Sequence, residues 1–327
     1  MDKTCCQFKS KKLTFSSSTL QKGIHEVKIL RDKINMKKKI IFSSKGQRAD
    51  IGEIIIHRIL PNSHSNAVGP FVFLDHFGPL KYSTDKPRAT KGIGAHPHRG
   101  IATLTYLLNG ESEHNDSRGN HAKVYSGGIQ WMKAGNGILH DETTNPDPKT
   151  GNPYIHEFQF WINLPSDEKK ENPEYLSIDA TEVPTLRLGQ DSGWLKVLLG
   201  KYGDLISKIP TYSNQFLFHV QLNKNTSFSF PAVKGLEYAN FLPQHGVSIN
   251  EMEFDVGSFI QFDTEEGIIE IRNSSNSAAD IIFFGGERYE EQIVAHGPFV
   301  MNSVQEIAEA YKDFRAGQYG KIHYSTI

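Results

Sequence analysis

Two short stretches decide the reading of this chain: GAHPHRG at residues 94–100 and GNGILHDE at residues 135–142. Each sets two potential metal ligands one residue apart, His96 and His98 in the first, His140 and Glu142 in the second. In an extended strand, residues i and i+2 project from the same face, so each pair points together. Pro97 favours an extended residue before it. Gly94, Gly100, Gly135 and Gly137 flank the pairs and allow tight turns and close backbone approach at a barrel mouth. If the two stretches meet, three imidazoles and one carboxylate converge, with coordination positions left open. That donor set suits Fe(II), and less distinctively Mn, Ni, Cu or Zn. Open positions read as catalysis or sensing. A single HxH is common on exposed loops; the case for a site rests on two glycine-bracketed pairs separated by strand signals.

Outward from these stretches the chain reads as short strands. IGEIIIHRIL, FVFLDHF, TLTYLL, EFQFWINL and KVLLG are rich in β-branched and aromatic residues, with Gly and Asn recurring between them. The pattern resumes after Pro184 with FLFHVQLN, TSFSF, GVSINEMEF, GSFIQF, IIEIRN and DIIFFGG. This spacing predicts an all-β sandwich or barrel class. Only SVQEIAEAYKDFRAGQYG has helical periodicity. There Val304, Ile307, Ala308, Tyr311 and Phe314 are expected on one face, with Gly317 at the stop.

Composition narrows the partners. The chain has 327 residues, 38% hydrophobic and 22% charged, as expected of a folded, non-disordered protein. No apolar run is long enough to span a membrane, and no secretory signal opens the chain. Its two cysteines, Cys5 and Cys6, are adjacent and cannot staple the fold, which fits a reducing compartment. They also accompany no lipidation motif. Net charge is −1, but 13 Lys and Arg face three acids up to Arg48, leaving 23 basic against 34 acidic residues beyond it. An acidic body argues against a nucleic-acid surface and, with no export signal, for the cytoplasm. The first 35 residues read as a disordered tail or an over-extended gene start, with a targeting segment as the minor alternative; the compact protein is expected to begin near Met36. No GxGxxG in a βαβ unit, phosphate loop or GxSxG motif is present.

HPHRGIATLTYLLNGE, SGGIQWMKAGNGILHDE and QFWINLP, followed late in the chain by GGERYEEQIVAHGPFVMN, resemble the pirin family from about Gly46 to the C-terminus. The resemblance implies a bicupin, two jelly-roll β-barrels face to face with a short C-terminal helix and one metal ion in the N-terminal barrel. The expected division is a basic tail over 1–40, a metal-binding cupin domain over 41–165, a linker over 166–184 and a metal-free cupin domain over 185–327. By position the family's ligands fall on His96, His98, His140 and Glu142, the four chosen by strand parity. Ala102 stands where many pirins carry Glu. Parity would put it on the face of His96 and His98, leaving Glu142 as the one acid at the metal.

The other polar residues have plainer readings. His114, Asp116 and His121 are expected in a polar hairpin loop, His156 as a hydrogen-bonded core residue facing with Phe158 and Phe160, and Trp131 in packing. His219, His245 and His296 are single and widely spaced.

Three functions follow from the resemblance. The first is a metal-dependent dioxygenase, with iron, acting on flavonol-like (quercetin-type) phenolic substrates. Dioxygen is the co-substrate and Glu142 the general base. The second is a redox-sensing regulator that binds a transcription factor or metabolic enzyme, and the third a scaffold with a vestigial metal. A monomer is expected.

Overall fold

The computed structural model describes residues 36–51, 54–83 and 87–324, so the expectations for residues 1–35 lie outside it. Strand Gln215–Leu222 shows how the sequence builds the architecture. Phe216, Phe218 and Val220 enter one apolar cluster while Leu217, on the opposite face, enters another. Such a strand is buried on both sides. The sheets repeat the device twice. In the first half a seven-stranded antiparallel sheet runs from Gln47–Ile51 through Ile54–Leu60, Phe71–Lys81, Tyr154–Asn163, Ile101–Asn109 and Ile129–Lys133 to Glu174–Ile178. It faces a four-stranded sheet of His96–His98, Ile138–Asn145, Glu111–Asp116 and His121–Tyr125. The second half repeats the arrangement, seven strands against four.

The two seven-stranded sheets pack on each other. Phe71, Leu104, Tyr106, Phe158 and Phe160 from the first meet Leu217, Phe241, Phe259, Ile282 and Phe284 from the second in one core. Two polar bridges, one buried and one partly buried, cross that seam. The Tyr106 hydroxyl donates to His219 Nδ1 (2.7 Å), and His219 Nε2 in turn donates to Asp280 (2.9 Å). Gln244 donates to His156 Nδ1 (3.1 Å), and His156 Nε2 lies 2.6 Å from His76 Nε2. His156 is thus a bonded core residue, its ring tilted against those of Phe158 and His76.

The interiors of the two barrels differ. Phe216, Phe218, Phe228, Phe230 and Phe283 fill the second. In the first, Thr103, Thr105, Gln159 and Trp161 alternate with residues of the inter-barrel core, so polar and aromatic side chains point inside.

The strand Ile40–Lys45, expected from residue 41 on in the first domain, instead extends the second barrel's large sheet beside Ser258–Phe262. Residues 36–40, expected in the tail, are tied to the second barrel by their backbone: the Lys38 amide donates to Ile268 O and the Ile268 amide to Met36 O, and Lys38 is buried while Met36, Lys37 and Lys39 stay exposed. Within the expected linker, Glu174–Ile178 is a strand paired with Ile129–Lys133.

The helix spans Val304–Arg315, capped by Ser303, whose hydroxyl accepts from the Glu306 amide, and followed by Gly317 at φ +75°. Its buried side is Ile307 and Ala310, with Tyr311 packed alongside. Val304, Ala308 and Phe314, expected on that face, are exposed. The helix docks on the hairpin of Val294–His296 and Phe299–Met301, and contact with Phe299 and Tyr319 rotates the stripe away from Val304.

Candidate metal centre

Strand Ile138–Asn145 lies between two partners, and their registers build the site. His140 stands opposite His96 on one side. On the other, Glu142 stands opposite His114. Cross-strand neighbours on one face have Cβ atoms about 5 Å apart, so all of these side chains crowd together. Ring centroids lie 4.3 Å apart for His96 and His140, 5.0 Å for His98 and His140, and 5.1 Å for His96 and His98. Nitrogens of the three imidazoles lie within 4.8 Å of one another. Glu142 joins His140 and His114 in a second group within the same limit. The four ligand candidates are therefore gathered around His140 as two overlapping groups, with His114 as an added member.

His114 does not belong to a hairpin loop. It is buried on strand Glu111–Asp116, stacked on Tyr175 (4.3 Å) and 3.2 Å from Asp116. Asp116 does hold the following turn, accepting from the Arg118 and Asn120 amides, and His121 sits outside against Glu113. The HxD spacing of His114 and Asp116 was the available signal, but only the register against Ile138–Asn145 brings His114 to the site.

Backbone carbonyls aim two of the rings. His96 Nδ1 donates to Gly94 O (2.8 Å) and His98 Nδ1 to Pro298 O (3.1 Å), leaving each Nε2 available as a donor atom. Both ring nitrogens of His140 are buried without a hydrogen-bond partner. An unmet imidazole beside two others is what a cation site requires, so the residues fit a metal. Burial, reinforced by neighbouring rings, lowers His98 to about 3 and holds His140 well below the ordinary imidazole range. Both are neutral at physiological pH, the form that binds a cation.

Glu142 accepts from Gln159 Nε2 (3.1 Å) and Thr105 Oγ1 (3.3 Å). It is not the one acid present: Glu157 and Asp75 line the same cavity of about 130 Å³. Burial, then the charge of Glu142, pushes Glu157 up to about 8. Ala102 is absent from this lining and packs with Leu104 and Tyr106 in the inter-barrel core. Parity fails there because Gly100, at φ +82° and against Val300 O, turns the chain between the two strands.

The cavity opens into a vestibule of about 660 Å³ between the first barrel and the segment from Ala295 to Val300. Phe73 and Trp161 stack on its wall (4.2 Å, 13°), with Arg58 over Phe73 and held by Asp75 through two 2.9 Å bonds. His296, read from sequence as a lone histidine, lines this mouth.

Comparison with known proteins agrees with the two-barrel fold. The Pirin family model matches residues 53–162 and the Pirin C-terminal cupin domain matches residues 217–320. Human pirin is 30% identical over 86% of this chain and 94% of its own length, and a pirin-like protein 2 of Arabidopsis thaliana 29% identical over 81% and 80%. A solved quercetin 2,3-dioxygenase from Acinetobacter baumannii superposes with a TM-score of 0.80 at 27% identity, covering 88% of this chain and all of that one. With its two barrels and its pair of matched domains, the chain belongs to the pirin family of bicupins.

Proposed function

We propose that this protein is a metal-dependent dioxygenase of flavonol-like, quercetin-type phenols, holding one iron ion on His96, His98, His140 and Glu142. The observation that carries the reading is His140, buried, neutral and unpartnered at both nitrogens, beside two rings already aimed by backbone carbonyls. Three imidazoles and a carboxylate suit Fe(II), with Mn, Ni, Cu or Zn as substitutes. The likeness to a quercetin 2,3-dioxygenase structure supports the substrate class.

When bound, the cation supplies Lewis acidity that brings a substrate hydroxyl within reach of deprotonation near neutral pH. This chain's residues do the rest. The Phe73–Trp161 wall and the apolar Val72, Pro298 and Val300 receive a planar ring and exclude water. Glu142, steadied by Gln159 and Thr105, takes the hydroxyl proton. Glu157 remains protonated at neutral pH and can hold or return a proton at its carboxyl in the same cavity.

The test is oxygen uptake by the iron-loaded protein over a series of flavonols, with His140→Ala as control. Turnover in the wild type, lost together with bound metal in the variant, is expected. Iron-loaded protein that leaves every flavonol unchanged would refute the enzyme reading and favour the regulatory one.

A further inference from the structure

His96, like Glu142, is only half-buried, and its ring is held by a loop carbonyl rather than a packed strand. What fixes that loop is Asp141, which lies between the proposed ligands in sequence but points to the other face of the strand. Its Oδ1 accepts from the Gly94 amide (2.9 Å), and Gly94's own carbonyl receives the His96 Nδ1 proton (2.8 Å). The remaining oxygen, Oδ2, accepts from the hydroxyl of Tyr324 (2.9 Å), near the chain's C-terminal end. Two further features press the loop onto this carboxylate. The Ile93 amide donates to Glu142 O (3.0 Å), and at Gly92 an added Cβ would lie 2.0 Å from Asp141 Oδ1. Only glycine permits that approach.

We infer that Asp141 is a positioning residue for the metal centre, setting the direction of His96 through Gly94 and itself steadied by Tyr324. The inference rests on the metal reading above and adds a residue outside the ligand set. Partners one shell beyond a metal commonly change affinity by about 10–100-fold when removed. One link of main chain stands between Asp141 and His96, so the lower end of that range is expected. Asparagine retains the Oδ1 acceptor for Gly94 and offers an amide that Tyr324 can accept from, so it should restore the arrangement.

The experiment titrates Co(II) into full-length wild type, Asp141→Ala, Asp141→Asn, Tyr324→Phe and His98→Ala, reading affinity by chelator competition and ligand geometry by the visible Co(II) spectrum. Asp141→Ala should bind about tenfold more weakly with a displaced spectrum. Asp141→Asn should lie within about threefold of wild type with its spectrum restored, and Tyr324→Phe between the two. Circular dichroism of each metal-free variant identifies any that fails to fold, and Tyr324→Phe, which removes one exposed hydroxyl, keeps the test open if Asp141→Ala does. Wild-type affinity and spectrum in a folded Asp141→Ala, with binding lost in His98→Ala, would overturn the positioning role and leave the metal site standing. Equal, weak binding by wild type and His98→Ala would overturn the metal reading itself.

Discussion

Replacing Glu157 with glutamine tests whether the first barrel keeps a neutral carboxylic acid beside its proposed ligands. In the folded protein the group rises from 4.5 to about 8, first through burial and then through the charge of Glu142. Between those values the folded state holds a proton that the unfolded state has released. Stability therefore falls as pH rises across that window. One proton gives a slope of at most ~1.4 kcal/mol per pH unit, so from pH 5.5 to 7.5 the ceiling is roughly 2.5 kcal/mol, and the side chain's partial exposure reduces it. Glutamine does not titrate and removes this slope. His76, His98, His140 and His156 are all lowered by burial, and their contribution runs oppositely, rising with pH until the unfolded imidazoles lose their protons. Those four are common to both proteins and cancel in the difference. The assay is urea unfolding of chelator-treated wild type and Glu157→Gln at pH 5.5, 6.5 and 7.5. The variant should gain on wild type by about 1–2 kcal/mol between the two ends. Parallel profiles would show that Glu157 is ionised throughout, ending its role as a proton holder.

Two further outcomes follow from the geometry. His114→Ala should weaken Co(II) binding about tenfold, because it removes the ring beside Glu142 and His140; His121→Ala, outside the cavity against Glu113, should leave binding unchanged in the same titration. Tyr106→Phe leaves His219 Nδ1 without its donor at the buried seam and should lower the urea-unfolding free energy by about 1–3 kcal/mol without altering metal affinity.

What the sequence discloses depends on how far each inference must travel along the chain. The shared orientation of His96 with His98, and of His140 with Glu142, follows within single strands, where a period of two operates without interruption. The same rule fails when carried from His98 to Ala102, because Gly100 intervenes with a positive φ. His114 needed a pairing register, and local sequence leaves that open unless a tight turn specifies it. The helix was evident from its periodicity, yet its buried face was set by Phe299 and Tyr319, residues outside the helix. The second glutamate was hidden for a different reason. Glu157 lies within an aromatic strand whose opposite face, Phe158 and Phe160, dominates the pattern.

The two barrels begin from one architecture and diverge through what points inside. In the second, paired strands direct Phe218, Phe230 and Phe283 inward, and centroid separations of 4.5–6.4 Å leave the interior filled by rings. In the first, the equivalent space receives threonine, glutamine, carboxylates and imidazoles, which pack less densely and keep a cavity open. Such polar interiors weaken a core, and the seam compensates: the large apolar cluster lies between the barrels, where both seven-stranded sheets contribute. The second barrel thus supports the first from behind, while its C-terminal extension reaches the front. Pro298 O orients His98, Phe299 bridges Arg99, and Tyr324 holds Asp141. A centre built on strands of the first half is therefore aimed by residues near the end of the second. Substitutions in that distant segment should change metal affinity even though they remove no ligand.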